Sequence, residues 1–562
     1  MKIPRFLNLL VERGHLPAAQ VTVLNARHRG NALAALEELI AAQTVSKDEL
    51  CRLYGDTLGT AYVELNRTLI QPEVVNLIPR EFALAHCLIA IYRFGGAITV
   101  VSADPLNVMV MDSVARLVGM AVSPVFSPPS DIVDMVEVQY ATLGLFEELK
   151  AQVDSKHLGL AAAGGNAERL AQVAEDKDVV ALTRQMLLVA LRERASDIHL
   201  EPSAHTVRVR LRIDGELRDW QPLSRSLAAP VVSRLKLMAG CDIVEHRRPQ
   251  DGRIAFALAS RSVDLRFSSV PVVDGEKIVL RVLGAMQRQS LPALDELGFS
   301  AVDLAQVKHV LGTPNGVFFV TGPTGSGKTT TLYSLLKHLN RPGINVMTVE
   351  DPVEYRLPNI NQVQVNMAVD LTFANALRAF LRQDPNVILL GEVRDVETAR
   401  IATQAALTGH FVLSTLHTNN ALQSVTRLID LGVAPYLVAP ALIGASAQRL
   451  VRRLCLGCRE EYSLPAETVT RLFGDLGSRP VRLWRGRSCA ACGGTGYAGR
   501  LAIHELFVLT DSVRHLVARN APILELQSLA LQEGFRPMLH DGLKKALRGL
   551  TTLEEVERAS AQ

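Results

Sequence analysis

The residues best placed to do chemistry are Gly322, Pro323, Thr324, Gly325, Ser326, Gly327, Lys328, Thr329 and Thr330. From Gly322 to Thr329 they read G-x-x-x-x-G-K-T, a spacing that wraps backbone N–H groups around a phosphate chain. Glycine permits the turns such a wrap needs, and a following helix adds positive potential at the anion. Lys328 would reach the β and γ phosphates of ATP, and Thr329 would ligate Mg²⁺. Three further stretches follow in chain order. Thr348-Val-Glu350-Asp351-Pro-Val-Glu354-Tyr355 places carboxylates at a strand end, where they can hold Mg²⁺ or polarise an attacking water. Val387-Ile-Leu-Leu-Gly391-Glu392 is an apolar run ending in an acid, so Glu392 carries the acidic role of a Walker-B-like strand. His410 and His417 bracket the apolar stretch 411–416 and suit a sensor of the γ-phosphate or of a neighbouring subunit. Taken singly, Glu350-Asp351 reads as a solvated turn, His410 as a packed histidine and Glu392 as a strand cap. Their common position, each at the end of a buried strand after one phosphate loop, makes them a set.

A second cluster reads Cys455-x-x-Cys458, thirty intervening residues, then Cys489-x-x-Cys492. Two such knuckles fold back into a tetrahedral Cys₄ zinc site, structural because no coordination position stays open. Gly493, Gly494 and Gly496 allow the tight turn after the second pair. The competing reading is two redox pairs or inert thiols. Cys51, Cys87 and Cys241 are isolated and read as core cysteines.

The elements that must position these groups are legible in the periodicities. Gly316-Val-Phe-Phe-Val-Thr321 is a buried strand, and Thr330 to Leu339 a helix. Upstream lie a helix from Val179 to Arg194 and a strictly alternating strand, Val207 to Ile213. A hairpin turn at Asp214-Gly215 follows, then strands Arg253–Leu258, Val263–Ser268 and Lys277–Val282. The first sixty or so residues are helical in pattern, with a capping box at Ser46-x-x-Glu49. Residues 61–145 read as a small α/β unit with a strand at Ala97–Ser102 and a helix at Val108–Leu117. The division expected is a domain at 1–150, a linker at 151–175 centred on Ala161–Asn166, a second domain at 176–290 and a third at 291–562. The third includes the cysteine module at 451–500, with helices from there to the C-terminus.

Composition sets the class. The chain has 562 residues, 48% hydrophobic and 21% charged, so it is globular with ample core. A net charge of +3 without a basic run argues against nucleic acid as a partner. The longest apolar run, Tyr436 to Ala447, is too short to span a bilayer and contains Pro440, and Met1–Val11 meets Glu12 and Arg13 at once. With cysteines spaced for metal rather than disulfides, the expected compartment is the cytoplasm.

The chain resembles the secretion ATPases of type II secretion and type IV pilus assembly, the GspE/PilB group. The resemblance is carried by Ala195-Ser-Asp-Ile-His-Leu-Glu-Pro202, Arg212-Ile-Asp-Gly215, Pro249-Gln-Asp-Gly-Arg253, the phosphate loop and the Asp box at 348–355. Leu381-Arg-Gln-Asp-Pro385, Gly391–Asp395, the His box at 408–419 and Gln448-Arg-Leu-Val-Arg452 complete it. It implies an α/β fold: a RecA-like P-loop ATPase domain preceded by a smaller PAS-like α/β domain, with a Cys₄ zinc module. It also implies a homohexameric ring, peripheral to the inner membrane. The partners implied are a platform protein and cytoplasmic-membrane adaptors. By position Glu354 matches the family's catalytic glutamate and Glu392 its Walker B glutamate, acting on Mg²⁺ through water. His410 and His417 match the His-box histidines. Arg212 and Arg234 are the candidates for arginine fingers from the smaller domain, a role that suits a delocalised, permanent charge; a basic exposed strand face is the plainer reading. The cysteine module favours assembly or secretion over retraction. The N-terminal region resembles the family's MshEN-type domain, which in some relatives binds cyclic di-GMP. Arg5-Phe6-Leu7 opens the first candidate motif, with Leu7 in the place of a glycine, and the second copy falls near Ala32–Gln43. An adaptor docking on a membrane partner is the other reading of that domain. Two rivals share the core: a DNA-translocating RecA-like motor, and a nucleotide-switched scaffold that does not hydrolyse.

Overall fold

The computed structural model describes all residues except 1–2, 43–44, 67, 69, 158–166, 284–290, 474–480, 490–491 and 562. The glycine-rich centre of the expected linker, Ala161–Asn166, lies outside the described residues. The flanking segments are helical, Leu143–His157 and Ala167–Ala174. The chain forms two compact units, Met1–Ser290 and Leu291–Gln562.

The first unit holds three cores. Helices Arg5–Glu12, Ala18–Arg27, Ala32–Ala42 and Lys47–Leu58 pack around Phe6, Leu10, Leu36 and Leu50. The last of these helices is capped by Ser46, whose hydroxyl accepts from Glu49 N–H at 3.3 Å. A three-stranded sheet follows: Leu88–Phe94 pairs antiparallel with Ala97–Ser102, which pairs parallel with Ala121–Phe126 through the helix Val108–Val118. The third core is an antiparallel sheet ordered Glu216–Asp219, Thr206–Ile213, Asp197–Pro202, Gly275–Leu283, Ser262–Val272, Gln250–Ala257. Its alternating strands bury Ile198, Val209, Leu211, Ile254, Phe256, Phe267 and Leu280 against helices Lys177–Arg192 and Arg225–Ala239. Phe146 and Val153 join this core.

The second unit is a seven-stranded sheet ordered Asn361–Gln364, Val346–Glu350, Val387–Leu390, Phe411–Leu416, Gly316–Thr321, Leu442–Leu454, Tyr497–Val508. The first six are parallel and the last is antiparallel. The central strands are buried at every position, as helix-covered parallel strands must be. The apolar run 436–447 divides between the helix Pro435–Ala441 and a thirteen-residue strand, Leu442–Leu454. One segment differs from the sequence reading. The segment after the cysteines is not wholly helical, because Tyr497–Val508 returns to the sheet before the C-terminal helices begin. Among the described residues no helix is long and apolar enough to cross a membrane.

Candidate functional site

Register decides which side chains meet. Thr321 pairs with Leu416, and Leu390 with both Ser414 and Val349. The segments that leave these strands therefore emerge along one edge of the sheet: the loop from Gly322, the Gly391-Glu392 turn, His417 and the Asp351–Tyr355 segment. Two backbone bonds stitch that edge, Gly391 N–H to Val349 O at 2.8 Å and Val393 N–H to Thr415 O at 3.1 Å. Thr415 adds its hydroxyl to Gly391 O at 2.8 Å.

The phosphate loop is built as its sequence requires. Gly327 has φ +89° and opens directly into the helix Lys328–Leu339. Gly322 has φ +141°, and a Cβ there would stand 2.6 Å from Gln448 O. Among the described residues no acceptor meets the N–H groups of Thr324, Gly325 or Gly327, so these donors are available to an anion. Lys328 folds over the loop and donates from Nζ to Gly322 O and Pro323 O, each at 2.9 Å. Burial pushes its amine below the ordinary lysine range, Glu392 draws it back up, and Arg449 adds to the depression. Thr329 is exposed at the helix start. Glu392, 13% exposed, pairs with Arg394 at 2.6 Å and faces His417 Nε2 at 3.4 Å. The Thr329 hydroxyl and the Glu392 carboxylate are oxygen donors of the kind a hydrated Mg²⁺ takes, and it needs few from the protein.

The Asp box divides its labour. Glu350 is buried and fully engaged: it accepts from Tyr333, from Thr348 at 2.6 Å and from Gln362 at 3.1 Å. Tyr333 comes from the phosphate-loop helix, and its hydroxyl also receives Glu354 N–H at 3.4 Å. Glu350 is thus a structural carboxylate, and Glu354 presents an exposed one. Sequence reading passed over Tyr333, an apolar-looking helix position whose hydroxyl only the fold brings to Glu350.

One candidate of the second unit, His410, stands elsewhere. His410 precedes Phe411, which pairs with Gly316 at the opposite end of the sheet. A six-residue strand separates it from the loop, a span of about 20 Å. Its Nδ1 lies 3.0 Å from Ala405 O, a helix-terminal contact rather than a place at the site. Arg234 lies on a helix covering the apolar face of the first unit's antiparallel sheet, in a groove with Arg184, Met238 and Phe256. Arg212 projects from the open face, since neighbouring Leu211 is core. The two are not brought together.

Arg212 has different company. Cross-strand pairs link Arg253 to Arg266, Arg266 to Arg281, Arg281 to Asp197 and Asp197 to Arg212. Directly paired residues share a face, so four guanidiniums and one carboxylate form a row across five strands. Asp197, 8% exposed at its side chain, holds two of them, Arg281 Nε at 3.0 Å and Arg212 Nε at 3.4 Å. Like charges side by side are unfavourable unless an anion joins them. The alternation of each strand was legible, but the row was not, because it depends on register.

The four cysteines converge. Sγ–Sγ distances are 3.7 Å for Cys455–Cys489, 3.9 Å for Cys458–Cys492 and 3.6 Å for Cys489–Cys492, and all four lie within 4.8 Å of one another. A tetrahedron with metal–sulfur bonds of about 2.3 Å has edges of about 3.8 Å. No disulfide forms. Burial pushes the Cys492 thiol up, but N–H groups of Cys489 and Gly496 donate to its sulfur and bring it down to about 6. The cluster can hold a metal ion.

A family model described as type II/IV secretion system protein matches residues 172–558, and a model of the MshEN domain matches residues 58–143. The chain is 39% identical over 527 residues to the type IV pilus assembly ATPase PilB of Thermus thermophilus, covering 92% of this chain and 58% of that one. It thus spans little more than half of that relative's length. It is 39% identical over 566 residues to type II secretion system protein E of Xanthomonas campestris pv. campestris, covering 99% of this chain and 98% of that one. Among solved structures, the Legionella pneumophila ATPase DotB shares the fold at a TM-score of 0.51 and 21% identity, covering 68% of this chain and 95% of that one.

Two predictions follow from the geometry. Tyr333→Phe should lower kcat about tenfold with ATP affinity little changed, because one buried hydroxyl is lost from beneath Glu354; steady-state kinetics beside nucleotide binding checks this, and unchanged kcat contradicts it. Elemental analysis should find one metal ion per chain at the cysteines, and Cys489→Ser should release it and lower Tm.

Proposed function

The chain belongs to the type II/IV secretion system protein family, as an ATPase of the type II secretion and type IV pilus assembly group, and on that premise we propose how its residues divide the work. One observation carries the reading. Glu392 and His417 face each other at 3.4 Å at the sheet edge where the phosphate loop begins, and the Glu392 charge draws the half-buried Lys328 amine back up toward its ordinary range. Loop N–H groups and Lys328 bind and orient the phosphates of ATP. Thr329 and, through water, Glu392 would hold Mg²⁺, which would supply neutralising charge to the phosphates. Glu354 accepts a proton from the attacking water as general base. His417 senses the γ-phosphate from beyond Glu392.

Phosphate charge also calls for cations that this loop does not itself supply. The arginine row gives the best account of them: Arg212 and Arg281, held by Asp197, reach the γ-phosphate bound to a neighbouring copy. This assignment favours Arg212 over Arg234 among the fingers anticipated from sequence, and adds Arg281. A site completed by a neighbouring copy suits a head-to-tail contact that closes into a ring, and six-fold assembly fits the family premise. Turnover would then move the arginine-bearing domain and drive polymerisation of pilin or pseudopilin subunits through an inner-membrane platform protein, from the cytoplasmic side.

The cysteine cluster holds zinc, the ion whose closed tetrahedral thiolate site is structural. The N-terminal domain serves as an adaptor for membrane partners. Cyclic di-GMP is the alternative occupant of that domain, and a site at the first helix would have to form around Leu7, which stands in place of the motif glycine and is 1% exposed within the helical core. The sheet-edge constellation favours hydrolysis over a silent nucleotide switch.

Glu354→Gln should bind ATP with near wild-type affinity and lose turnover by about 10²-fold or more. Undiminished turnover in that variant would remove Glu354 from the role of base, and stimulation by DNA instead of a platform protein would point to a translocating motor.

A further inference from the structure

Gln448 stands outside every role assigned so far, yet it is the side chain most closely built into the phosphate loop. It lies on the strand Leu442–Leu454, one residue past Ala447, which pairs with Thr321. Its chain therefore runs beside the loop just where the loop leaves its strand. Gln448 is 1% exposed. Its Nε2 donates to Ser326 O at 2.7 Å, and its Oε1 accepts from Thr331 Oγ1 at 2.8 Å. One carboxamide thus ties the tip of the loop to the first turn of the helix that follows.

The loop's glycines are shaped around the same residue. A Cβ on Gly322 would meet Gln448 O at 2.6 Å, and one on Gly327 would meet Gln448 Nε2 at 3.1 Å. Gln448 O also accepts from Arg449 Nη1 at 3.2 Å, and Arg449 Nη2 donates to Asn419 O at 3.0 Å, within the His-box segment. The backbone of the loop is therefore held from behind by groups that face away from any bound phosphate.

We propose that Gln448 is a positioning residue of the nucleotide site: its carboxamide fixes Ser326 and Thr331 so that the loop N–H groups converge on the phosphates. The inference rests on reading this loop as the ATP site. Ser326 is buried, so losing the amide donor leaves its carbonyl without a partner. The loop then relaxes to other shapes, and only a fraction of molecules present a formed cradle. Affinity falls by that fraction. The hydrogen bonds are made equally before and during phosphoryl transfer, so the loss appears in KM and not in kcat. Gln448 touches neither substrate nor metal, which separates it from Lys328, Glu354 and Glu392.

Gln448→Met keeps the volume and removes both hydrogen bonds. Thr331→Val removes only the helix-side bond. In the full chain, binding of a fluorescent ATP analogue and steady-state hydrolysis are measured together with thermal melting. The expected result for Gln448→Met is Kd and KM raised about tenfold with kcat within about twofold, and a smaller rise for Thr331→Val. A lower Tm with Kd and KM within twofold of wild type would make Gln448 a packing residue and overturn the proposal. So would a fall in kcat at unchanged Kd. If Gln448→Met does not fold, unchanged Kd in Thr331→Val overturns it alone. Wild-type protein that binds no ATP analogue would instead overturn the reading of the site, and this inference with it.

Discussion

Parallel strands end together, and that constraint decides which side chains of the second unit can meet. Thr321, Glu350, Leu390 and Leu416 finish their strands at one edge, so four separate stretches of chain deliver a loop, two carboxylates and an imidazole to one place. None of these groups is close to the others in sequence. The same rule removes His410, which enters its strand at the opposite edge. Buried polar bonds then hold the edge to shape. Tyr333 and Glu350 join the loop helix to the Asp box, and Gln448 joins it to the strand on the other side. The two ties flank the phosphate loop from opposite directions.

Charge is distributed unevenly between the units. At the nucleotide edge the Glu392 carboxylate faces Arg394 and His417 and draws the Lys328 amine upward. In the first unit the arginine row carries four cations and one acid. The row itself is net positive. A triphosphate from a neighbouring copy would neutralise it, and the permanently charged, planar guanidinium suits that task. Asp197 limits the freedom of two arginines while leaving them accessible, which is what a positioning carboxylate must do.

Much of this was legible in the residues. The G-x-x-x-x-G-K-T spacing, the apolar run before it and the helix after it are local features, and they fold as local rules require. The strands of the first unit announced themselves by alternation, and Asp214-Gly215 by turn chemistry. The cysteine spacing likewise required only that two knuckles fold together. What escaped was non-local. Arg234 and Arg212 look alike in sequence, but one sits on a helix over the apolar face and the other on the open face. Tyr333 and Gln448 act through partners 17 and 117 residues away. The strand Leu442–Leu454 was hidden because its first half is apolar at nearly every position, a pattern shared by a buried helix.

The central claim is that each nucleotide site is completed by arginines of another copy. It is tested most directly by mixing two inactive full-length proteins, Lys328→Ala and the double variant Arg212→Ala/Arg281→Ala, and measuring ATP hydrolysis after co-assembly. The account predicts that the mixture regains activity, because some junctions then pair an intact loop with an intact arginine row. Co-assembled rings that stay inactive, or a double variant that hydrolyses ATP normally by itself, would contradict it.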